Sequence, residues 1–261
     1  MVMSSRSFRW GAVAALAAGI VLASCSSHVK DPGTAIDRML AAYGCPKNLP
    51  RLTDYVGRGF VKQLPLGHVA VSHPFDLYQK GARYKTKTWL IQEGIPVDMQ
   101  VLAVADSERT RWTYRDGYSS VPQWEADLLL YRFPLVLQWV SSPGIEGRLI
   151  EGDADDGSVR IRFENDGDLI TLVIDDKDWL LRQMILESEA DTLFRFEEAY
   201  GDYRKVDGVW FPNRFTASFR GRPYYEFMIP SIELGADLPD SIFAVLPADT
   251  VLPPPATNTE R

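Results

Sequence analysis

Cysteine and histidine are scarce in this chain, with 2 and 3 residues among 261. Two cysteines, Cys25 and Cys45, cannot make a disulfide framework, and Cys45 reads first as a small core residue, with a reactive or intermolecularly paired thiol as the alternative. His28, His68 and His73 leave little for a metal centre. His68 and His73 are five residues apart, so on an extended chain they point to opposite faces. Enzyme motifs are missing too. There is no Gly-x-Ser-x-Gly, no His-Glu-x-x-His, no complete Ser-x-x-Lys set and no phosphate-cradling glycine loop, so no catalytic residue and no cofactor is implied. Basic charge is short, with 28 Lys and Arg against 35 Asp and Glu and a net charge of −7. That balance excludes nucleic acid as a partner held by electrostatics. Long apolar runs are absent as well. The longest, Gly11 to Ala23, has about 13 residues, too few to cross a bilayer as a helix.

What that run does carry is an address. Arg6 and Arg9 precede it with no acid, the pattern of a secretory signal. It ends in Leu22-Ala23-Ser24-Cys25, which resembles the lipobox of bacterial lipoproteins. The resemblance implies cleavage before Cys25, acylation of that cysteine, and anchoring in the cell envelope. Two or more acyl chains make such anchoring stable, at about 0.8 kcal/mol per buried methylene. Ser26 in the second position then implies the outer membrane, facing the periplasm. The expected organisation is a signal peptide over 1–24, a tether over 25–33, a folded domain over 34–247 and a disordered tail over 248–261. Loss of residues 1–24 removes Arg6 and Arg9, and the net charge falls to about −9.

The domain reads as mainly β. Thr34 to Asp37 is a variant capping box, followed by Ile36, Met39, Leu40 and Tyr43 at helical spacing and Gly44 at the C-terminal end. Strand-like stretches follow: Tyr55 to Leu64, His68 to Ser72, Arg83 to Glu93, Val97 to Ala105 and Arg111 to Arg115. Between Pro122 and Val140 the apolar residues are too dense for a half-exposed helix, so this segment must lie against another apolar surface. Pro134 is expected to break it. In the second half, Val159, Ile161 and Phe163 alternate with Arg160, Arg162 and Glu164, giving one dry and one wet face. Leu169 to Ile174 is apolar in both parities and reads as a strand covered on both faces. Trp179 to Ser188, Leu193 to Tyr200, Arg204 to Ser218 with an Asp207-Gly208 turn, and Tyr224 to Leu234 complete an antiparallel meander. Pro239 to Phe243 reads as one helical turn.

Acidic residues offer little chemistry. The turn from Asp153 to Asp156, with Glu164 twelfth, fails as a calcium loop because Gly157 and Ser158 occupy its fifth and sixth positions. Glu187/Glu189 and Glu197/Glu198 read as charges on strand edges.

Tyr203 to Pro212, with Val206-Asp207-Gly208 at its centre, together with Pro230 to Leu234 and Leu238 to Phe243, resembles the last strands of the lipoprotein-localisation carrier superfamily, LolA and LolB. The helix from Ala35 to Gly44 and the aromatic segment around Trp139 stand where that family has a first helix and cavity-covering helices. Gly235 departs from the pattern, where Asn is frequent, as does Cys45, where a second Gly is common. The resemblance implies an antiparallel sheet curled into a half-barrel with covering helices. If closure is incomplete, an apolar cavity suited to acyl chains remains; if it is complete, the interior is a packed core.

The first functional expectation is a membrane-anchored protein binding lipid or lipoprotein acyl chains, tethered through Cys25. Its lid candidates are Trp124, Leu128, Leu129, Phe133, Leu137 and Trp139, and its membrane-tip candidates are Leu64 and Leu66. The second is a scaffold lipoprotein that binds an envelope protein. A hydrolase built on scattered acids is a distant third.

Overall fold

The computed structural model describes residues 31–63, 71–92, 95–105, 108–113, 117–120, 128, 131–150, 157–165 and 167–243. The signal, Cys25, the start of the tether and the tail lie outside these residues. The first described elements are helix α1 (Pro32–Ala42) and a short helix α2 (Leu49–Leu52). Six strands follow: β1 (Asp54–Gln63), β2 (Val71–Lys80), β3 (Arg83–Gln92), β4 (Ile95–Ala105), β5 (Glu108–Thr113) and β6 (Gly117–Ser120). Helix α3 (Leu135–Val140) then leads to β7 (Gly147–Ile150), β8 (Ser158–Asn165), β9 (Asp168–Asp175), β10 (Leu181–Ser188), β11 (Arg195–Val206), β12 (Val209–Phe219) and β13 (Arg222–Leu234). The last of the described elements is, as expected, one 3-10 turn, Asp240–Phe243.

All 13 strands form one antiparallel sheet in the order β6-β5-β4-β3-β2-β1-β13-β12-β11-β10-β9-β8-β7. Each strand pairs with its sequence neighbour except at one place, where β1 pairs with β13. Two meanders are thereby joined at their outer ends of sequence, and β6 and β7 stand at opposite edges of an unclosed sheet. Twisted open sheets beyond about ten strands tend to curl. The curl here makes a half-barrel. Its concave side faces α1 and α3, whose buried Ala35, Met39, Val136 and Leu137 share one core with Phe75, Ile161, Leu172, Phe196 and Phe211 from the sheet.

Local chemistry explains the elements and three departures. Helix α1 starts three residues earlier than the capping box suggests, because Asp31 and not Thr34 is its cap. The Asp31 carboxylate accepts from the Thr34 amide at 2.7 Å and the Thr34 hydroxyl at 2.8 Å, and Pro32 fits the first turn. Strand β2 runs on to Lys80, well past Ser72, with buried Phe75, Leu77 and Gln79 alternating with more open Pro74, Asp76, Tyr78 and Lys80. Its pairing with β3 begins only at Phe75, so the missing amide of Pro74 costs no bond on that side. Strand β6 follows the Asp116-Gly117 turn signal and pairs with β5. The β9 expectation holds: Ile170 to Ile174 are all buried, with the Arg162 Nε reaching over to the Thr171 hydroxyl at 3.3 Å.

The Asp207-Gly208 hairpin has φ of 49° and 84°, the double left-handed geometry of a two-residue turn, with Val206 opposite Val209. Gly235, at φ 66°, donates to the Asp54 carbonyl at 2.6 Å. Left-handed backbone suits Gly and tolerates Asn, which accounts for that interchange.

Candidate functional site

Beside α1, the concave face is covered by a strap, the segment from Tyr131 to Val140. Pro134 divides it, as the sequence suggests, and caps α3. Four of the six α3 residues, Leu135, Val136, Leu137 and Val140, are buried. A helix this apolar has no stable place in water.

Phe133 is buried among aromatic rings. Its ring lies 5.3 Å from Tyr43 of α1, 6.0 Å from Tyr200 of β11 and 5.2 Å from Phe211 of β12, and its backbone amide donates to the Tyr200 hydroxyl at 3.2 Å. Trp139 packs edge-on against Phe163 of β8 at 5.2 Å and against Tyr131 at 5.1 Å, and the Tyr131 hydroxyl accepts from Asn165. Leu128 and Leu137 are buried in the same core. Four lid candidates therefore meet on the concave side, whereas Trp124, Leu129 and both tip candidates, Leu64 and Leu66, lie outside the described residues.

Beneath Phe133 and Leu135 is a cavity of about 20 Å³, walled by Tyr55, Phe75, Leu77, Phe215, Phe227 and Ile229. That is space for about one water. Gln79, Tyr84 and Arg132 bring polar groups to the same wall.

Arg132 belongs to a buried ion pair that sequence reasoning missed. Its Nε lies 2.9 and 3.0 Å from the two oxygens of Glu198, and its terminal nitrogen lies 2.7 Å from one of them. The Glu198 side chain is 0% exposed and that of Arg132 15%. The Tyr225 hydroxyl donates to Glu198 at 2.6 Å, and Arg132 lies over the Tyr225 ring at 5.5 Å. Burial works against the charge on Arg132, but Glu198, Tyr225 and Tyr84 outweigh it and hold the guanidinium firmly protonated. Burial also raises the pKa of Tyr225 and Tyr84, so both phenols stay neutral.

The placement of Glu198 corrects one expectation. Neither β10 nor β11 is an edge strand. Glu187 and Glu197 do pair with Arg195 on the surface, but Glu198 faces inward with Phe196 and Tyr200, as alternation along β11 demands. One signal was available: Arg132 is the sole charge between Leu128 and Val140, and a lone charge in a buried run needs a buried partner.

A second polar group fixes α1. The Tyr43 and Tyr203 hydroxyls are 3.0 Å apart, the Leu181 amide donates to Tyr43 at 3.1 Å, and Tyr203 donates to the Leu181 carbonyl. Cys45, just beyond α1, is half-buried against the core, and burial pushes its thiol up to about 11. Among the described residues no group of His, Cys, Asp or Glu is placed to hold a metal, and no helix is long and apolar enough to cross a membrane. Glu164 faces solvent and pairs with Arg148 at 2.8 Å.

The architecture matches solved structures. A DUF1329-family protein from Desulfovibrio piger superposes with a TM-score of 0.56 at 10% identity, over 82% of this chain and 98% of that one. The fold is LolA-like. A LolA-superfamily protein from Nitrosomonas europaea gives 0.55 at 11% identity over 82% and 98%, and an outer-membrane lipoprotein-sorting domain from Vibrio parahaemolyticus gives 0.52 at 8% over 81% and 96%. No family model and no curated protein matches the sequence. The LolA-like half-barrel expected from the hairpin around Asp207 and the helix around Met39 is thus the fold of the chain.

Proposed function

We propose that this protein is a membrane-anchored lipid- or lipoprotein-binding protein that takes acyl chains into its half-barrel, with Cys25 as the acylated anchor and the outer membrane as its site. The observation that carries this reading is the strap: among the described residues, the part of the apolar concave sheet that α1 leaves is covered by one short apolar segment, Tyr131 to Val140. Phe133 and Leu135 fill the space that an acyl chain would take. Chemically the two are alike, since each methylene or ring carbon removed from water contributes about 25 cal/mol per Å² in either case. An entering chain therefore replaces the strap side chains at little net cost, and it needs Arg132 to leave Glu198 or to turn about that contact. No covalent step is required. A tether of about eight residues keeps the protein close to its membrane, which suits an acceptor or local handler better than a travelling carrier.

A second reading is a scaffold lipoprotein that binds an envelope protein. The nearly filled interior favours it, as does a surface groove of about 330 Å³ on the convex side, bordered by Gln183, Glu197, Ala199, Thr216 and Glu226. Native mass spectrometry of the full chain extracted gently from its own membrane separates the two. A co-purifying lipid supports the first; a stoichiometric protein with no lipid supports the second.

A further inference from the structure

The large hydrophobic side chains that stay exposed among the described residues are Phe60, Leu193 and Tyr224, at 53%, 69% and 43%. Leu193 and Tyr224 lie at one end of the sheet, whereas Phe60 stands opposite Met228, midway along β13. Leu193 is in the β10–β11 connection, and Tyr224 is near the start of β13. The register puts these two together, because Phe219 is opposite Arg222, and Phe196 is opposite Phe219. Single exposed hydrophobics are ordinary on any surface. The gathering of Leu193 and Tyr224 at one end is not.

From that end a line of aromatic rings runs inward. Phe194 meets Phe219 at 5.5 Å, Phe219 meets Tyr224 at 6.4 Å, and Tyr224 meets Tyr225 at 5.3 Å. Tyr225 then meets Phe227 at 4.8 Å, and Phe227 meets Phe75 at 5.0 Å. The last two rings wall the cavity. Charges of both signs stand at the outer end, where Arg220 pairs with Asp191 at 3.1 Å. Arg220 lies over the Phe219 ring at 5.2 Å, and Arg222 is exposed beside it in the β12–β13 hairpin. Aromatic rings with arginines at an apolar tip match the boundary between lipid headgroups and acyl chains.

We propose that this end of the half-barrel, at Leu193, Phe219 and Tyr224, rests on a phospholipid bilayer, and that the ring series through Tyr225 and Phe227 is the track by which an acyl chain reaches the cavity. The inference rests on the acyl-binding reading. It adds where the chain goes in. It also gives Arg132 a position above the track, over Tyr225, where strap release and acyl passage coincide.

The test uses the full chain with its acylated Cys25, which has no free thiol, and with Cys45→Ser, carrying one cysteine labelled with the environment-sensitive fluorophore NBD. The label sits either at Leu193→Cys or, at the opposite end of the sheet, at Lys177→Cys in the β9–β10 turn. Both proteins are reconstituted in vesicles of phosphatidylethanolamine and phosphatidylglycerol. The expected result is a several-fold rise and a blue shift of emission at 193, quenched by spin-labelled lipid, with little change at 177. Equal signals at both positions, or a water-like signal at 193, overturn the docking proposal. Uptake of a fluorescent fatty acid from the same vesicles is followed in parallel with Tyr224→Asp. Slower uptake with unchanged final occupancy supports the track, and unchanged uptake overturns it. Normal fatty-acid binding with a water-like 193 removes only the docking end, whereas a blue-shifted 193 with no fatty-acid binding removes the acyl-binding reading instead.

Discussion

Two helical pieces lie on the same concave sheet and are held by opposite chemistry. α1 is tied by neutral groups, the Tyr43 and Tyr203 hydroxyls and the Leu181 backbone. The strap before α3 is tied by a buried ion pair, Arg132 with Glu198. Neutral hydrogen bonds cost little to bury when every partner is satisfied. A buried ion pair bears a desolvation penalty of several kcal/mol per ion, which its attraction only roughly repays. The first kind of contact makes a permanent wall. The second makes a contact that is strong when aligned and poor when disturbed, which is what a releasable cover needs.

The largest expected effect comes from breaking the charged contact from one side. Glu198→Ala leaves Arg132 buried without its partner and should cost about 3–5 kcal/mol, read as a lower midpoint in urea unfolding. The double change Arg132→Met with Glu198→Leu removes both charges and should be near neutral, within about 1–2 kcal/mol of the original. If the double variant is as unstable as the single one, the ion pair is not the ordinary buried kind and the contrast with α1 fails.

On the α1 side, Tyr203→Phe removes one hydroxyl and leaves the Leu181 carbonyl without this donor. About 1–3 kcal/mol is expected. Hydrogen exchange should show faster opening around α1 and no change at Phe133. Equal loosening of both pieces would mean that they open as one unit.

Alkaline pH should strike both networks together. Burial raises the pKa of Tyr43, Tyr200, Tyr203 and Tyr225 above the ordinary 10.0. The fold binds those protons more tightly than the unfolded chain, so this stability is complete below about pH 10 and falls as pH rises above it. Tyrosinate absorbance should appear for these residues only together with loss of the native circular dichroism spectrum. Gradual tyrosinate formation in the folded protein would show the interior to be open to hydroxide.

The smallest effect sharpens the contrast at Cys45. With its thiol pushed up to about 11, alkylation near neutral pH should be slow. It should stay slow when a fatty acid is added, if the proposed ligand displaces the strap and not α1. Acceleration by ligand would place the moving part on the wrong side.

How much of this was legible before any coordinates depends on where the signal sits. The meander was readable because Ile161 and Phe163 alternate with Arg162 and Glu164, and because Asp207-Gly208 can hardly be anything but a tight hairpin. Phe133, Leu137 and Trp139 were readable as covered because a run so apolar has nowhere else to go. Strand β2 beyond Ser72 was lost behind His73-Pro74, since proline signals an end, and only the register with β3 shows why it is tolerated. Glu198 was misread because its neighbour Glu197 made an acidic pair. Alternation sends the two to opposite faces, yet nothing local says that an arginine 66 positions earlier waits inside. The β1–β13 pairing, which builds the single sheet, is equally invisible in sequence, because it joins strands that lie at opposite ends of the chain.

The central claim is that the strap covers space meant for an acyl chain, and titration of the delipidated full chain with a fluorescent fatty acid tests it most directly. The expected result is saturable binding of one chain per protein, weakened by Phe133→Asp while the β-sheet circular dichroism signal persists. Absence of saturable binding at micromolar ligand would contradict it and leave the packed scaffold as the better account.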